Sequence, residues 1–293
     1  MRLDEAAYDS NIPMRTRFAP SPTGYLHLGH VAHALYVWKV AGEFGAEVIF
    51  RMEDHDRGRC RPEFEAAIIE DIAWLGFACH GAMTRQSERE AIYQDLALKL
   101  QTAGLLYGCA CSRKEVLART GDSATGEELR YDNHCRDLGL PLEFHTGWRV
   151  RLPDTEVAFE DLRLGVMRQR PRTQCGDLLI RDRHGNWTYQ FCVVVDDWLQ
   201  GVNLVVRGED LLSSTGRQIL LGELLGREKP PHYFHHPLIH DAETGKKLSK
   251  RDLAHAVREL RHAGVTRETV LREAARLSGF GADFDMGSHR CNP

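Results

Sequence analysis

Apolar residues fall at Leu28, Val31, Leu35 and Trp38, the spacing of one helix face, directly after a stretch in which no regular element can form. Pro20 and Pro22 stop the strand expected at about Met14 to Phe18 and bar an early helix start, and Gly24 allows a turn. The helix therefore begins near His27 to Gly29 and runs to about Phe44, where Gly45 ends it. Glu47 to Arg51 follows as a short apolar strand. Strand, helix and strand at this spacing predict a parallel pair with a right-handed crossover, the opening of an open α/β sheet. Ligands on such sheets bind beyond the carboxyl ends of the strands, where Arg17 and Glu53 stand.

The pattern then predicts helices from Pro62 to Leu75, with proline in its first turn, and from Glu88 to Ala103, closed by Gly104. From Trp148 it changes to short alternating strands, Trp148 to Leu152 and Val157 to Asp161. Asp177 to Arg181 and Tyr189 to Asp197 return to buried strand and helix, and Leu204 to Asp210 reads as a central strand ending in charge. Ser213 or Ser214 then caps a helix carrying Leu220, Leu221, Leu224 and Leu225, closed by Gly226. Two modest helices end the pattern, Leu253 to His262 and Arg267 to Leu277, the second introduced by Thr266 with Val265 and Val270 as a hydrophobic staple. The whole reads as an α/β nucleotide-binding domain: residues 1–108 form its first half, 109–175 an insertion, 176–251 its second half and 252–293 a short helical segment.

Composition adds little beyond exclusions. The 293 residues are 42% apolar and 27% charged, an ordinary globular balance, and a net charge of −4 provides no global basic field to attract nucleic acid. A local patch must serve instead, and Lys246 to Arg276 holds nine Lys and Arg against four Asp and Glu. The N-terminus lacks an apolar leader and no run approaches a membrane span, so a cytoplasmic location is expected. Eight cysteines without a secretory signal point to thiols or a metal. Cys60, Cys79, Cys175 and Cys192 sit in settings of plain packing. Cys109, Cys111 and Cys135 share one insertion with Tyr131 and His134, a donor set for tetrahedral zinc with a phenolate or imidazole as fourth ligand.

The candidate chemistry lies at the first helix start. His27 and His30 flank Gly29 where backbone N–H groups are unpaired and the helix dipole is positive, which leaves room for a phosphate chain against bare backbone. The dense charge from Arg51 to Arg57 reads, on composition, as a solvated loop. Far downstream stands a second basic element, Lys246-Lys247-Leu248-Ser249-Lys250-Arg251, preceded by Gly245. No GxxxxGK[ST] loop, GxGxxG turn or nucleophile elbow competes with this pair.

His27-Leu28-Gly29-His30 and Lys247-Leu248-Ser249-Lys250-Arg251 resemble the paired HIGH and KMSKS signatures of class I aminoacyl-tRNA synthetases. The resemblance covers about Arg15 to Leu277 and is closest to the glutamyl-tRNA synthetases, specifically their short relatives, the glutamyl-Q tRNA(Asp) synthetases. It implies a Rossmann-like class I catalytic domain with a zinc-containing insertion, acting as a monomer. The implied activity is ATP-dependent activation of L-glutamate and its transfer to queuosine in tRNA(Asp). By motif, the glutamate site would be Arg17, Ala19, Ser21, Glu53, Tyr189 and Arg207, the two arginines taking carboxylates and Glu53 the ammonium. His27, Gly29, His30, Lys247 and Lys250 would hold ATP, which brings Mg²⁺, with His27, His30 and Lys250 carrying catalysis. Zinc would be bound by Cys109, Cys111, Tyr131 and Cys135, the analogy selecting Tyr131 over His134. A discriminating glutamyl-tRNA synthetase carries a further part that reads the anticodon, for which too few residues follow Leu277. The residues leave three alternatives open: another acceptor for the activated glutamate, a non-catalytic binding relative, and ion pairs of Arg207 with Asp210 and of Glu53 with Arg51 or Arg57.

Overall fold

The computed structural model describes residues 13–121, 129–143, 145–239 and 256–280. Strand β1 (Arg15–Phe18) leads through the proline-rich turn into α1 (Leu28–Glu43) and back to β2 (Glu47–Met52), which pairs in parallel with β1 from Arg15 opposite Glu47 to Phe18 opposite Phe50. Helix α2 (Pro62–Leu75) stops at Gly76, whose φ of 82° takes the left-handed region open to glycine, and β3 (Thr84–Arg85) adds in parallel to β2. This is the strand, helix and strand opening that the apolar pattern predicts.

Helix α3 (Glu90–Thr102) and strand β4 (Leu106–Cys109) lead to α4 (Arg113–Thr120), β5 (Gly147–Val150), β6 (Val157–Asp161), β7 (Gly165–Gln169), α5 (Pro171–Cys175) and β8 (Leu178–Arg181). Helix α6 (Tyr189–Leu199), β9 (Leu204–Gly208), α7 (Thr215–Leu225), β10 (His232–His236), α8 (Val257–His262) and α9 (Arg267–Leu277) complete the described chain. β4, β5 and β8 make a small antiparallel sheet, whereas β7, β6, β10 and β9 form a four-stranded sheet in which β6 with β10 and β10 with β9 are parallel. The edge of β9 lies beside β1, where the Asn203 N–H donates to the Arg15 carbonyl at 3.0 Å and its side-chain oxygen accepts the Arg15 N–H at 2.8 Å.

Helix α1 is buried on neighbouring as well as periodic positions, Val31, Ala32, Ala34, Leu35, Tyr36, Val37 and Trp38 among them, because the sheet covers one side and α9 the other. The Thr266 hydroxyl caps α9 by accepting the Thr269 N–H, and Val265 and Val270 pack in the same core as expected of a staple. The serine cap expected on α7 is absent. Residues Glu209–Ser214 form a 3-10 turn that runs straight into the helix, so Ser214 already has helical torsions, and its hydroxyl accepts from Gln190. The Gly216 N–H is taken instead by the Gln169 side chain from β7, at 2.8 Å. No described helix is long and apolar enough to cross a membrane.

Candidate active site

The start of α1 is closed by two imidazoles. His27 Nδ1 accepts the Gly29 N–H and His30 Nδ1 accepts the His27 N–H, each at 3.1 Å, so the two histidines form the reciprocal cap usually made by Ser and Glu. A nitrogen that accepts a backbone N–H carries no proton, so a neutral ring here holds its proton on Nε2 as a donor. Burial and the adjacent His27 push His30 down to about 3, which keeps it neutral at physiological pH. Both rings therefore stand at the positive end of the helix.

Lys247 and Lys250 lie outside the described residues, yet both flanks of residues 240–255 meet α1. On the far side Ala256 bridges His27 and the Val257 N–H donates to the Leu26 carbonyl at 2.8 Å. On the near side His236, at the end of β10, is hydrogen-bonded to His33 at 2.9 Å.

A charged network buried in the core joins β1 and β2 to α6. Arg17 donates through Nε to Asp197 on α6 at 3.1 Å and through Nη1 to the Val206 carbonyl at 3.2 Å. Arg51, fully buried at 0% exposure, donates to the same Asp197 at 2.8 Å, to Gln200 at 2.9 Å and to Glu53 at 2.9 Å. Burial raises the Asp197 carboxyl, but Arg17 and Arg51 together hold it below the ordinary carboxylate range. The alternating strand explains the arrangement: Phe50 and Met52 enter the apolar core, and Arg51 points oppositely, toward α6. Composition read the 51–57 segment as solvated, which holds for Arg57 but not for Arg51 and Glu53.

Arg207, 3% exposed, is held differently. It donates through Nε to His235 at 3.0 Å, Nη1 to Gln218 at 2.6 Å and Nη2 to Thr215 at 2.8 Å, so these three partners are neutral and the pairing with Asp210 is not formed. Tyr189, at the first position of α6, lies among these groups. Burial and Glu53 raise its phenol while Arg207 and Arg17 oppose them, an electrostatic neighbourhood that places Tyr189 with both arginines and the carboxylate. Ala19 is half-buried, and Ser21 is exposed with the Cys60 thiol 3.9 Å from its hydroxyl. Their loop is tied to the one after β2 by Glu53 N–H to the Pro20 carbonyl at 2.9 Å and Arg61 N–H to the Pro22 carbonyl at 3.0 Å. Asp197, His235 and Asp161 were not singled out from sequence, whereas the ion pair of Glu53 with Arg51, left open there, is formed. The available signal was the pair Asp196-Asp197 inside an otherwise apolar helical run.

A third group gathers Cys109, Cys111 and Cys135, whose sulfurs lie within 4.8 Å of one another. The Tyr131 hydroxyl is 3.3 Å from Cys109 Sγ and 3.9 Å from Cys111 Sγ, and it accepts the Cys135 N–H at 2.8 Å. His134 is exposed and outside this group. Gly176 makes the approach possible: a Cβ there would stand 2.0 Å from the Tyr131 carbonyl oxygen. A cavity of about 840 Å³ runs from these cysteines past Arg149 and Arg183 to Tyr189 and Gln190.

Residues 13–284 match the model of the class I tRNA synthetase (E and Q) catalytic domain. Glutamate–tRNA ligase 1 of Acidithiobacillus ferrooxidans is 42% identical over 93% of this chain, which spans 59% of that relative's length. The glutamyl-Q tRNA(Asp) synthetase of Rhodobacter capsulatus is 38% identical over 88% of this chain and 99% of its own. The crystal structure of a glutamate tRNA ligase from Elizabethkingia meningosepticum, in complex with its amino acid, superposes with a TM-score of 0.69 at 30% identity, over 82% of this chain and 52% of that one. The chain belongs to the class I tRNA synthetases of the glutamate and glutamine group, a family of ligases, and matches a glutamyl-Q tRNA(Asp) synthetase across that relative's full length.

Proposed function

We propose that the chain activates L-glutamate with ATP and transfers the glutamyl group to the queuosine base of tRNA(Asp). The observation that carries the first half is the contrast between the arginines. Arg17 and Arg51 share the Asp197 carboxylate, whereas Arg207 is buried against neutral acceptors, which leaves its charge for an anionic ligand. Arg207 is accordingly assigned the side-chain carboxylate of glutamate and Arg17 the α-carboxylate, with Glu53 on the ammonium and Tyr189, Ser21 and the Ala19 backbone completing the site.

Adenylation is attack of an α-carboxylate oxygen on the α-phosphorus of ATP, breaking the bond to the bridging oxygen and releasing pyrophosphate. A carboxylate needs no general base, so catalysis is positioning and charge stabilisation. The Nε2–H groups of His27 and His30 and the Gly29 backbone would hold the phosphates, and Lys247 and Lys250 would neutralise the departing pyrophosphate; ATP enters with Mg²⁺.

The acceptor rests on the full-length match to the Rhodobacter capsulatus relative, with the basic segment Lys246 to Arg276 as phosphate-contacting flank. Glutamate-dependent pyrophosphate exchange proceeds without tRNA on this reading. Labelled glutamate then transfers to tRNA(Asp) containing queuosine, less as salt rises, and not to the same tRNA with guanosine or to tRNA(Glu). Efficient charging of tRNA(Glu) would exchange this acceptor for the conventional one, and a small-molecule acceptor would show as transfer without any tRNA.

Residues 109–175 form, on this reading, the zinc-bearing insertion. Four tetrahedral ligands about 2.3 Å from zinc stand roughly 3.8 Å apart, close to the spacing of the three thiols and the Tyr131 hydroxyl. Cys109, Cys111, Tyr131 and Cys135 would hold one Zn²⁺ that cross-links the segment. Because Cys109, Val116, Tyr131 and Cys135 pack in a small core of their own, Cys135→Ser should abolish metal in elemental analysis while glutamate-dependent exchange stays within about tenfold of the unaltered chain. Full metal in Cys135→Ser with loss in His134→Ala would move the fourth ligand to His134.

A further inference from the structure

Arg207 leaves β9 with its Nε–H directed at an imidazole, and that imidazole is itself fixed from a third strand. Asp161, the last residue of β6, is 1% exposed. Its Oδ1 accepts the N–H groups of Arg163 at 3.0 Å and Leu164 at 2.9 Å. Its Oδ2 accepts the His235 backbone N–H at 3.0 Å and lies 2.6 Å from His235 Nδ1. Burial raises the Asp161 carboxyl, yet these bonds hold it below the ordinary range, so it is an anion whose oxygens only accept. His235 Nδ1 therefore carries a proton.

The other face of the ring is equally determined. A guanidinium can only donate, so the 3.0 Å contact from Arg207 Nε requires a lone pair on His235 Nε2. The same nitrogen lies 3.1 Å from the Thr215 hydroxyl, whose oxygen accepts from Arg207 Nη2 and whose proton is thus free to point to the ring. Gln218, holding Nη1, is in turn tied to Gln190 at 2.8 Å and through it to Ser214 at 3.0 Å. The Asp161 and Arg207 contacts together fit one neutral tautomer, with its proton on Nδ1.

An aspartate bonded directly to Arg207 would orient the guanidinium but offset its whole charge, whereas Asp197, shared by Arg17 and Arg51, offsets only one of their two. An interposed neutral imidazole transmits orientation and keeps the anion a ring's width away. We propose that His235, locked by Asp161, is a positioning residue that aims Arg207 at the substrate's side-chain carboxylate without neutralising it. The proposal rests on the assignment of that carboxylate to Arg207.

Glutamate-dependent pyrophosphate exchange tests it. His235→Asn reaches Asp161 but offers no acceptor to Arg207, and should raise the KM for glutamate about tenfold to a hundredfold, with the KM for ATP within about twofold, as loss of a hydrogen bond to a charged group predicts. His235→Gln, with an amide oxygen near the former Nε2, should recover most of that loss. Thr215→Val, isosteric and lacking both hydroxyl contacts, should raise the glutamate KM selectively as well, and it decides the matter should His235→Asn not fold. An unchanged glutamate KM in the folded variants, or equal increases for both substrates with no recovery in His235→Gln, overturns the proposal. An unaltered chain that shows no glutamate-dependent exchange removes the functional reading and the proposal with it, before any variant is compared.

Discussion

Arg207→Leu should lower kcat/KM for glutamate in pyrophosphate exchange by roughly 10²–10³, while the KM for ATP moves by less than about threefold. The magnitude follows from removing one partner of a buried, hydrogen-bonded charge pair, which costs about 3–4 kcal/mol at about 1.4 kcal/mol per decade. Leucine keeps an apolar stem beside Tyr233 and leaves only neutral groups behind: His235, Gln218 and Thr215. Arg207→Lys should fare nearly as badly, because one ammonium cannot span three acceptors held on a strand and a helix. Discrimination is the sharper readout. On the proposed assignment this one cation sets a preference for glutamate over glutamine, so in Arg207→Leu the preference should collapse toward unity. A variant that loses activity but keeps its full preference would place the specificity-determining charge elsewhere, with Arg17 the next candidate.

Legibility in the sequence followed the range of the interactions. The opening of the fold could be read because its punctuation is local: Pro20, Pro22 and Gly45 bound α1, and Pro62 and Gly76 bound α2, each acting on its own backbone. His27 and His30 stood out as two imidazoles one turn apart at a helix start, although their reciprocal cap was not read, and the second motif, Lys246 to Arg251, lies outside the described residues. The cysteine cluster was visible as composition within one segment. What could not be read depends on distant partners. The cap of α7 comes from Gln169 on another strand, so the local serine was a false signal. Arg51 is buried because Asp197, far along the chain, meets it, and a charged run alone cannot reveal that. Asp161, Arg207 and His235 lie on three strands that become neighbours only when β6, β10 and β9 pair.

Asp197→Asn should destabilise the protein by about 3–5 kcal/mol, the cost of leaving buried charge without its partner. Two guanidiniums and two carboxylates share this part of the core: Arg17 and Arg51 with Asp197 and Glu53. Neutralising Asp197 leaves a net positive charge there, and Glu53 cannot compensate both arginines, since it is bonded to Arg51. Asparagine keeps the side-chain size, so the loss reports charge rather than a cavity. Urea unfolding of the two proteins measures it as a lower midpoint with an unchanged slope. The pH dependence gives a second check. A carboxyl held below its unfolded value contributes stability that is complete above about pH 4 and is lost as pH falls through the folded value. The gap between the unaltered chain and Asp197→Asn should therefore be constant near neutrality and narrow in acid. A gap that persists undiminished as the pH falls well below 4, or a difference under about 1 kcal/mol at pH 7, would mean that the network's hydrogen-bond geometry, not its charge balance, holds Arg17 in place.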